Sequence, residues 1–335
     1  MTASTNTLAP SATAPSQAGL AARRAGAAVA KAVLPRLAGV LGVVWVAVTL
    51  AFLVVNVIPG DPLDTIMAGI TNATPELRAR IAADLGLDKP LIEQYGAYLA
   101  GVVRGDLGTS YSRGIPVSAV ILSELGATAQ FAVAAVGFAV ALAVGVALLT
   151  SGRRPMARRL AQFFELLALS VPTFWSGLLV IMLFAFTLRL LPASGAGEPR
   201  HLVLPTLTLA LPLAGIISQV MRERMEHALA EPFVLTARAR GAGDWAIRTR
   251  HVLRHSSLAV VTLSSSILAG VLSGSAVLET LFARPGIGRV LVQAVQERDL
   301  PLVAGLVIVI AGVFVVINTA VDLLYPVLDP RLRGV

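Results

Sequence analysis

The residues that could ligate a metal or move a proton are few. The chain of 335 residues has four histidines, His201, His227, His251 and His255, and no cysteine. Neither a disulfide framework nor a thiolate metal site can therefore form. No histidine pairs with a carboxylate at metal-ligand spacing on an apolar segment, so no metal site is expected. There is no His-Glu-x-x-His pattern, no phosphate-binding loop ending in Gly-Lys-Ser/Thr, no pair of catalytic carboxylates and no legible Ser/His/Asp arrangement. No catalytic residue is expected. Any ATP-driven step would have to take its nucleotide on another chain. Four polar residues, Glu165, Gln219, Glu279 and Asp322, fall close to the ends of long apolar runs. Contact with lipid headgroups or a neighbouring helix accounts for them better than a proton relay does.

A more informative stretch is 231–245, Glu-Pro-Phe-Val-Leu-Thr-Ala-Arg-Ala-Arg-Gly-Ala-Gly-Asp-Trp. Pro232 suits a first helical turn, where its missing N–H costs little. Gly241 can take the left-handed conformation that stops a helix. Asp244 can cap a second helix running through Arg248, Arg250 and Arg254 into the next apolar run. The pattern predicts a short helix tied rigidly to two spans, able to transmit force from a soluble partner. Taken alone, the stretch reads more readily as an interfacial helix held by anionic lipid.

The elements that position this stretch follow from composition. The chain is 56% hydrophobic and 14% charged, with a mean hydropathy of +0.79, too apolar to be covered by a polar exterior. Apolar runs at 37–58, 128–149, 163–191, 203–220, 258–281 and 302–324 predict an all-α, polytopic membrane protein of six spans. The first alone would reach ~33 Å, enough to cross the hydrocarbon core. Most of the 27 lysines and arginines fall before the first run, at 153–159, at 222–254 and at the C-terminus. Segment 59–125 holds more acids than bases. That bias places both termini in the cytoplasm and 59–125 outside. It also explains the net charge of +8 without nucleic acid, whose binding domains gather cations and aromatics on one soluble face. Residues 1–30, rich in Ala, Ser, Thr and Pro, are expected to form a disordered cytoplasmic leader before a permease domain at 31–335. Pro172, Pro205 and Pro212 predict kinks or breaks in the third and fourth spans.

The order of motifs adds a resemblance. Phe233-Val234-Leu235-Thr236-Ala237-Arg238-Ala239-Arg240-Gly241 is similar to the cytoplasmic loop signature of the permease subunits of ABC importers, in particular the B-type subunit of the dipeptide, oligopeptide and nickel transporters. Pro59-Gly60-Asp61-Pro62, Leu85-Gly86-Leu87-Asp88-Lys89-Pro90 and Gly105-Asp106-Leu107-Gly108-Thr109-Ser110 precede it in the same order. So do Val171-Pro172-Thr173-Phe174-Trp175 and Leu191-Pro192-Ala193-Ser194-Gly195. Glu279 to Arg289, Arg298-Asp299-Leu300-Pro301 and Asp329-Pro330-Arg331-Leu332-Arg333 come after it. The similarity covers nearly everything after residue 35. It departs at Arg254 to Ala259, which lacks a usual proline, at Gln219, where arginine is common, and at Leu125-Gly126, where Leu-Pro is more usual.

The resemblance implies the six-helix type I importer permease fold, in the bacterial inner membrane, as half of a translocation path for di- or oligopeptides or peptide-like solutes, metal chelates included. Its implied partners are a second related permease, two ATP-binding subunits and an extracytoplasmic solute-binding protein, with the lipid bilayer around them. ATP and Mg would sit on the ATP-binding subunits, and this chain would hold no cofactor. ATP binding would draw the coupling helices together and turn the path outward; hydrolysis would reset it. Within the 223–257 coupling loop, Phe233, Thr236, Ala237, Arg238, Ala239, Arg240 and Gly241 would meet the ATPase. Phe233, Ala237 and Ala239 would give apolar contact and an arginine the polar rim. The competing reading is a secondary transporter or channel without ATPase subunits, which would need an intramembrane ion or proton site. A polytopic membrane enzyme is a third.

Overall fold

A bilayer offers backbone groups no partners, so long apolar runs must satisfy them internally as helices. The computed structural model describes residues 38–39, 41–53, 56–57, 63, 67, 74–84, 86–152 and 155–328, with the backbone alone at 273–274 and 322–328. The leader, the 59–62 motif, Leu85, Arg153, Arg154 and the 329–333 motif lie outside the described residues. The chain divides into units 1–43 and 44–335. Of the first, only helical residues 38–39 and 41–43 are described. The second unit holds the helices that position the coupling loop.

The described residues are predominantly helical and contain no strand; Thr109 and Pro116 form one isolated antiparallel bridge. The apolar helix α1 spans Leu41–Leu53. Further along lie α2 (Pro75–Asp84) and α3 (Leu91–Val103). Tyr95 and Tyr98 of α3 pack their rings on Phe52 of α1 at 5.3 and 5.9 Å, and the Tyr95 and Thr49 hydroxyls are 2.8 Å apart.

Among the described residues, four helices are long and apolar enough to cross a membrane: α4 (Val117–Thr150), α7 (Arg200–Leu229), α9 (Asp244–Leu272) and α12, described over Leu300–Leu328. A fifth crossing is formed if the bent pair α5 (Pro155–Ser170) and α6 (Thr173–Thr187) counts as one. Several differ from the apolar runs that announce them. α4 starts well before residue 128, directly after Pro116, and its 34 residues extend over ~51 Å, longer than the ~30 Å hydrocarbon core. The run 163–191 is not a straight span. Pro172 is extended (φ −55°, ψ 134°) and the two helices meet at 102°. Pro205 and Pro212, by contrast, lie inside an unbroken α7. Pro205 leaves the His201 carbonyl without its in-helix donor, and Arg284 Nη1 lies 3.5 Å from that oxygen. The fifth run also divides: α10 (Ala276–Leu281) follows a break after α9, and α11 (Ile287–Gln296) leads to α12.

Lipid tails are as apolar as side chains, so helices here associate through close packing rather than expulsion of water. α4 supplies a stripe at every fourth position, Phe131, Ala135, Ala139, Ala143 and Ala147, all fully buried. Its most extensive partner is α7, and α9 packs on both. Near the other end of α4, Val117, Val120 and Ile121 meet α11 and α12. A Cβ at Gly305 would overlap Val117, so only glycine permits this crossing. The outward faces carry Leu122, Val133, Phe138, Leu149, Phe163 and Phe164, all exposed, as lipid or partner subunits require.

Candidate functional site

The predicted short helix forms as α8, Pro232–Ala239, with Pro232 in its first turn and Glu231 before it. Arg240 ends the helix and Gly241 turns left-handed at φ +83°. Ala242 N–H donates to Ala237 carbonyl (3.1 Å) and Gly241 N–H to Arg238 carbonyl (2.9 Å). These two bonds define a Schellman stop, which requires the positive φ that glycine adopts freely. No atom lies near where a Gly241 Cβ would sit, so the constraint is backbone conformation and not space.

Gly243, not Asp244, is the residue before α9; Asp244 occupies the first helical position and makes no side-chain cap. Its carboxylate pairs instead with Arg238 at 3.4 Å, across the turn. α9 then opens with π-helical turns at Ile247–Val252. Their five-residue hydrogen-bond step brings Ile247 and Val252 onto one buried face. Arg248, also buried, reaches Gly152 in the α4–α5 turn at 3.3 Å.

The loop residues divide between two faces. Val234 is buried (1% exposed) among residues of α4, α7 and α9, and Phe233 and Ala237 pack half-buried beside it. The Phe233 ring stacks on His255 of α9 with centroids 4.9 Å apart. Thr236, Arg238, Ala239, Arg240 and Gly241 are exposed. Leu235 (69% exposed) shares their side, and Trp245 at the start of α9 is 52% exposed. Sequence reasoning assigned no role to Val234, Leu235 or His255. The signal was present: 233, 234 and 237 make an inward stripe at helical spacing, while 232, 235, 236 and 239 make the outward one.

Two of the polar residues near span ends, Glu165 and Glu279, are buried and engaged with neighbouring helices. Glu165 of α5 binds Arg222 of α7, with Arg222 Nη1 donating at 2.8 Å, and Ser218 adds a hydroxyl at 2.7 Å. All three are nearly inaccessible. A Cβ at Gly215 would stand 3.2 Å from the Glu165 carbonyl, so glycine lets α5 come close enough for the pair. Glu279 of α10 accepts from the Thr128 hydroxyl of α4 (2.7 Å), the Ser275 hydroxyl (2.8 Å) and the Arg289 N–H (2.9 Å). A Cβ at Gly286 would overlap this carboxylate. The side chain of Asp322 lies outside the described residues. Among the described residues no three His, Asp or Glu are placed to hold a metal.

Two distant motifs meet at Asp299, just before α12. Its Oδ2 accepts the Ser110 hydroxyl (2.5 Å), the Ser112 hydroxyl (2.8 Å) and the Ser112 N–H (3.0 Å), while Oδ1 accepts Leu302 N–H (3.2 Å). Burial pushes this carboxyl up, but the hydrogen bonds from Ser110, Ser112 and Tyr111 outweigh it and hold it below the usual value. Nearby, burial and then the Asp299 charge raise the Tyr111 phenol.

Comparison with known proteins accords with this arrangement. Residues 135–334 match the family model described as binding-protein-dependent transport system inner membrane component, and 29–132 match the model of its N-terminal part. The chain is 35% identical over 315 residues to a putative peptide transport system permease protein of Brucella abortus, covering 90% of this chain and 98% of that one. It is 36% identical over 317 residues to the dipeptide transport system permease protein of Escherichia coli K12, covering 85% and 93%. A probable peptide ABC transporter permease protein of Sinorhizobium fredii is 33% identical over 310 residues, covering 90% and 98%. With both family models matched and these relatives covered almost end to end, the chain belongs to the binding-protein-dependent transport system inner membrane components, the membrane-spanning permease subunits of ABC importers.

Proposed function

We propose that this chain forms half of the translocation path for di- or oligopeptides, beside a second related permease. Two ATP-binding subunits hold ATP and Mg²⁺ beneath them, and an extracytoplasmic binding protein delivers the solute. The chain sits in the bacterial cytoplasmic membrane with six spans, both termini inside and the 59–125 segment outside. The peptide as solute is supported by the names of the relatives, three of which are peptide or dipeptide permeases. The orientation is supported by the cation bias of the loops.

The observation that carries the coupling role is the two-sided build of α8. Val234 and Phe233 fix it to the bundle, while Leu235, Thr236, Ala239 and Arg240 face outward. Gly241 then returns the chain directly into α9. A force applied to the outward face is carried by rigid helix into two long spans. The alternative, transport without ATPase subunits, calls for an intramembrane group left free to bind an ion. Glu165 and Glu279 are both engaged by neighbouring donors. The test is reconstitution. Peptide uptake should require co-purified ATP-binding subunits, the binding protein and ATP; uptake by this chain alone would overturn the reading.

A further inference from the structure

Between α5 and α7 lies a cleft of about 500 Å³, lined by Arg158, Gln162, Gln219, Arg222, Glu223 and Glu226 with Leu166 at one wall. Its size is within the ~300–1,000 Å³ of small-ligand sites. Its charges are largely matched. Arg222 is taken by Glu165, and Arg158 Nη1 stands 3.1 Å from Glu226. Among the described residues, Glu223 has no cation within ion-pair distance, and the amides of Gln162 and Gln219 have no hydrogen-bond partner. What remains unsatisfied is thus one carboxylate and two side-chain amides, each of which can both donate and accept.

We propose that this cleft binds the N-terminal end of the transported peptide, its ammonium on Glu223 and its first peptide amide on Gln162 and Gln219. The proposal rests on the peptide reading given under the proposed function. An extended dipeptide spans ~7 Å, and the solvated Arg158, half exposed at 49%, supplies a cation for its carboxylate by swinging away from Glu226. The buried Arg222 stays with Glu165 and shapes the wall. The chemistry sorts solutes: a free ammonium is favoured, and an acylated terminus or an acidic first residue is disfavoured. Gln219 is uncharged, so it adds no further cation to the cleft that would repel the ammonium. The site lies on the last turns of α7, whose chain continues through Glu231 into α8, close to the coupling helix.

The experiment uses the complete transporter in detergent, without its binding protein, and measures equilibrium binding of radiolabelled Ala-Ala and N-acetyl-Ala-Ala. Uptake of both is followed in proteoliposomes with the binding protein present. Saturable binding of Ala-Ala is expected, with weaker binding of the acetylated form. Glu223→Gln should lower Ala-Ala affinity about fivefold, the size of one solvated charge pair. Gln219→Arg should lower it too, while Arg224→Gln, outside the cleft, should leave it unchanged. If Ala-Ala is taken up but Glu223→Gln and Gln219→Arg bind it as the parent does, the site is wrong and the peptide reading stands. If neither peptide is taken up, the peptide reading fails and the site with it. If the variants instead lose the second permease on purification, the cleft is a subunit interface and the proposal is overturned.

Discussion

The Ser110 hydroxyl donates a hydrogen bond to Asp299 Oδ2 at 2.5 Å, joining residues 189 positions apart. The carboxylate organises the contact: two serine hydroxyls and one N–H converge on Oδ2, and Oδ1 caps α12. The 105–112 turn is thereby pinned to the α11–α12 junction. Arg113 adds a contact to Gln293 at 3.3 Å.

Replacing Asp299 with Asn should loosen that turn. Hydrogen bonds to a charged acceptor contribute ~1.5–3 kcal/mol each, so amide exchange across 105–113 should rise at least tenfold while α4 and α7 stay protected. The pH dependence follows from the lowered carboxyl. Its contribution is fully present above the unfolded carboxyl value and is lost as pH falls through the lower folded one. The protection factor of the turn, taken relative to intrinsic exchange at each pH, should therefore fall only under strong acid in the parent, and be insensitive to acid in the Asn variant. Unchanged exchange in Asp299→Asn would rule out the pin.

The Glu165–Arg222 pair should behave as a buried pair does. Arg222→Met alone leaves a desolvated carboxylate and should cost about 3–5 kcal/mol, seen as loss of folded protein on heating in detergent. The double change Glu165→Gln with Arg222→Met should recover most of it. With Glu165→Gln alone measured beside them, a loss in the double variant equal to the sum of the two single losses would show that the two residues act independently.

Gly241→Val forces a β-branched residue to φ +83°, where such residues are genuine outliers. Membrane insertion should persist, and uptake should fall strongly as α8 is misdirected relative to α9. Gly241→Asn, which tolerates the left-handed region, should retain more uptake than Val. Equal uptake in the parent and both variants would remove the turn from the mechanism.

Orientation can be read in this cysteine-free chain by placing single cysteines at Glu93 and Arg250, both outside the buried core. An impermeant thiol reagent added to intact spheroplasts should label Glu93→Cys and not Arg250→Cys. The reverse pattern would invert the topology.

Much of this architecture is legible in the residues. Pro232 and Gly241 announce the start and stop of α8 because both act locally, through a missing N–H and a freely adopted φ. Pro172, Pro205 and Pro212 look alike in sequence, yet only Pro172 coincides with a sharp bend. The difference is tertiary: the contacts of α7 with α4 keep it continuous, and a side chain from the α10–α11 turn stands near the carbonyl that Pro205 frees. Glu165 and Glu279 are visible as polar residues near span ends, but their partners lie 57 and 151 residues away. Periodicity carries no such information. Phe233 is half-buried with its ring stacked on His255, and Leu235 is the exposed large apolar side chain on the outward face of α8.

That leaves the outward face as the most direct test of coupling. In the reconstituted importer, ATP hydrolysis is measured with and without loaded binding protein, for the parent and for Leu235→Asp. Leu235 is exposed and supports no core contact, so the variant should fold and insert normally. The account predicts that binding-protein stimulation of hydrolysis is lost, with peptide uptake falling at least tenfold and with weakened retention of the ATP-binding subunits. Normal stimulation and normal uptake in Leu235→Asp would contradict α8 as the contact through which this permease is driven.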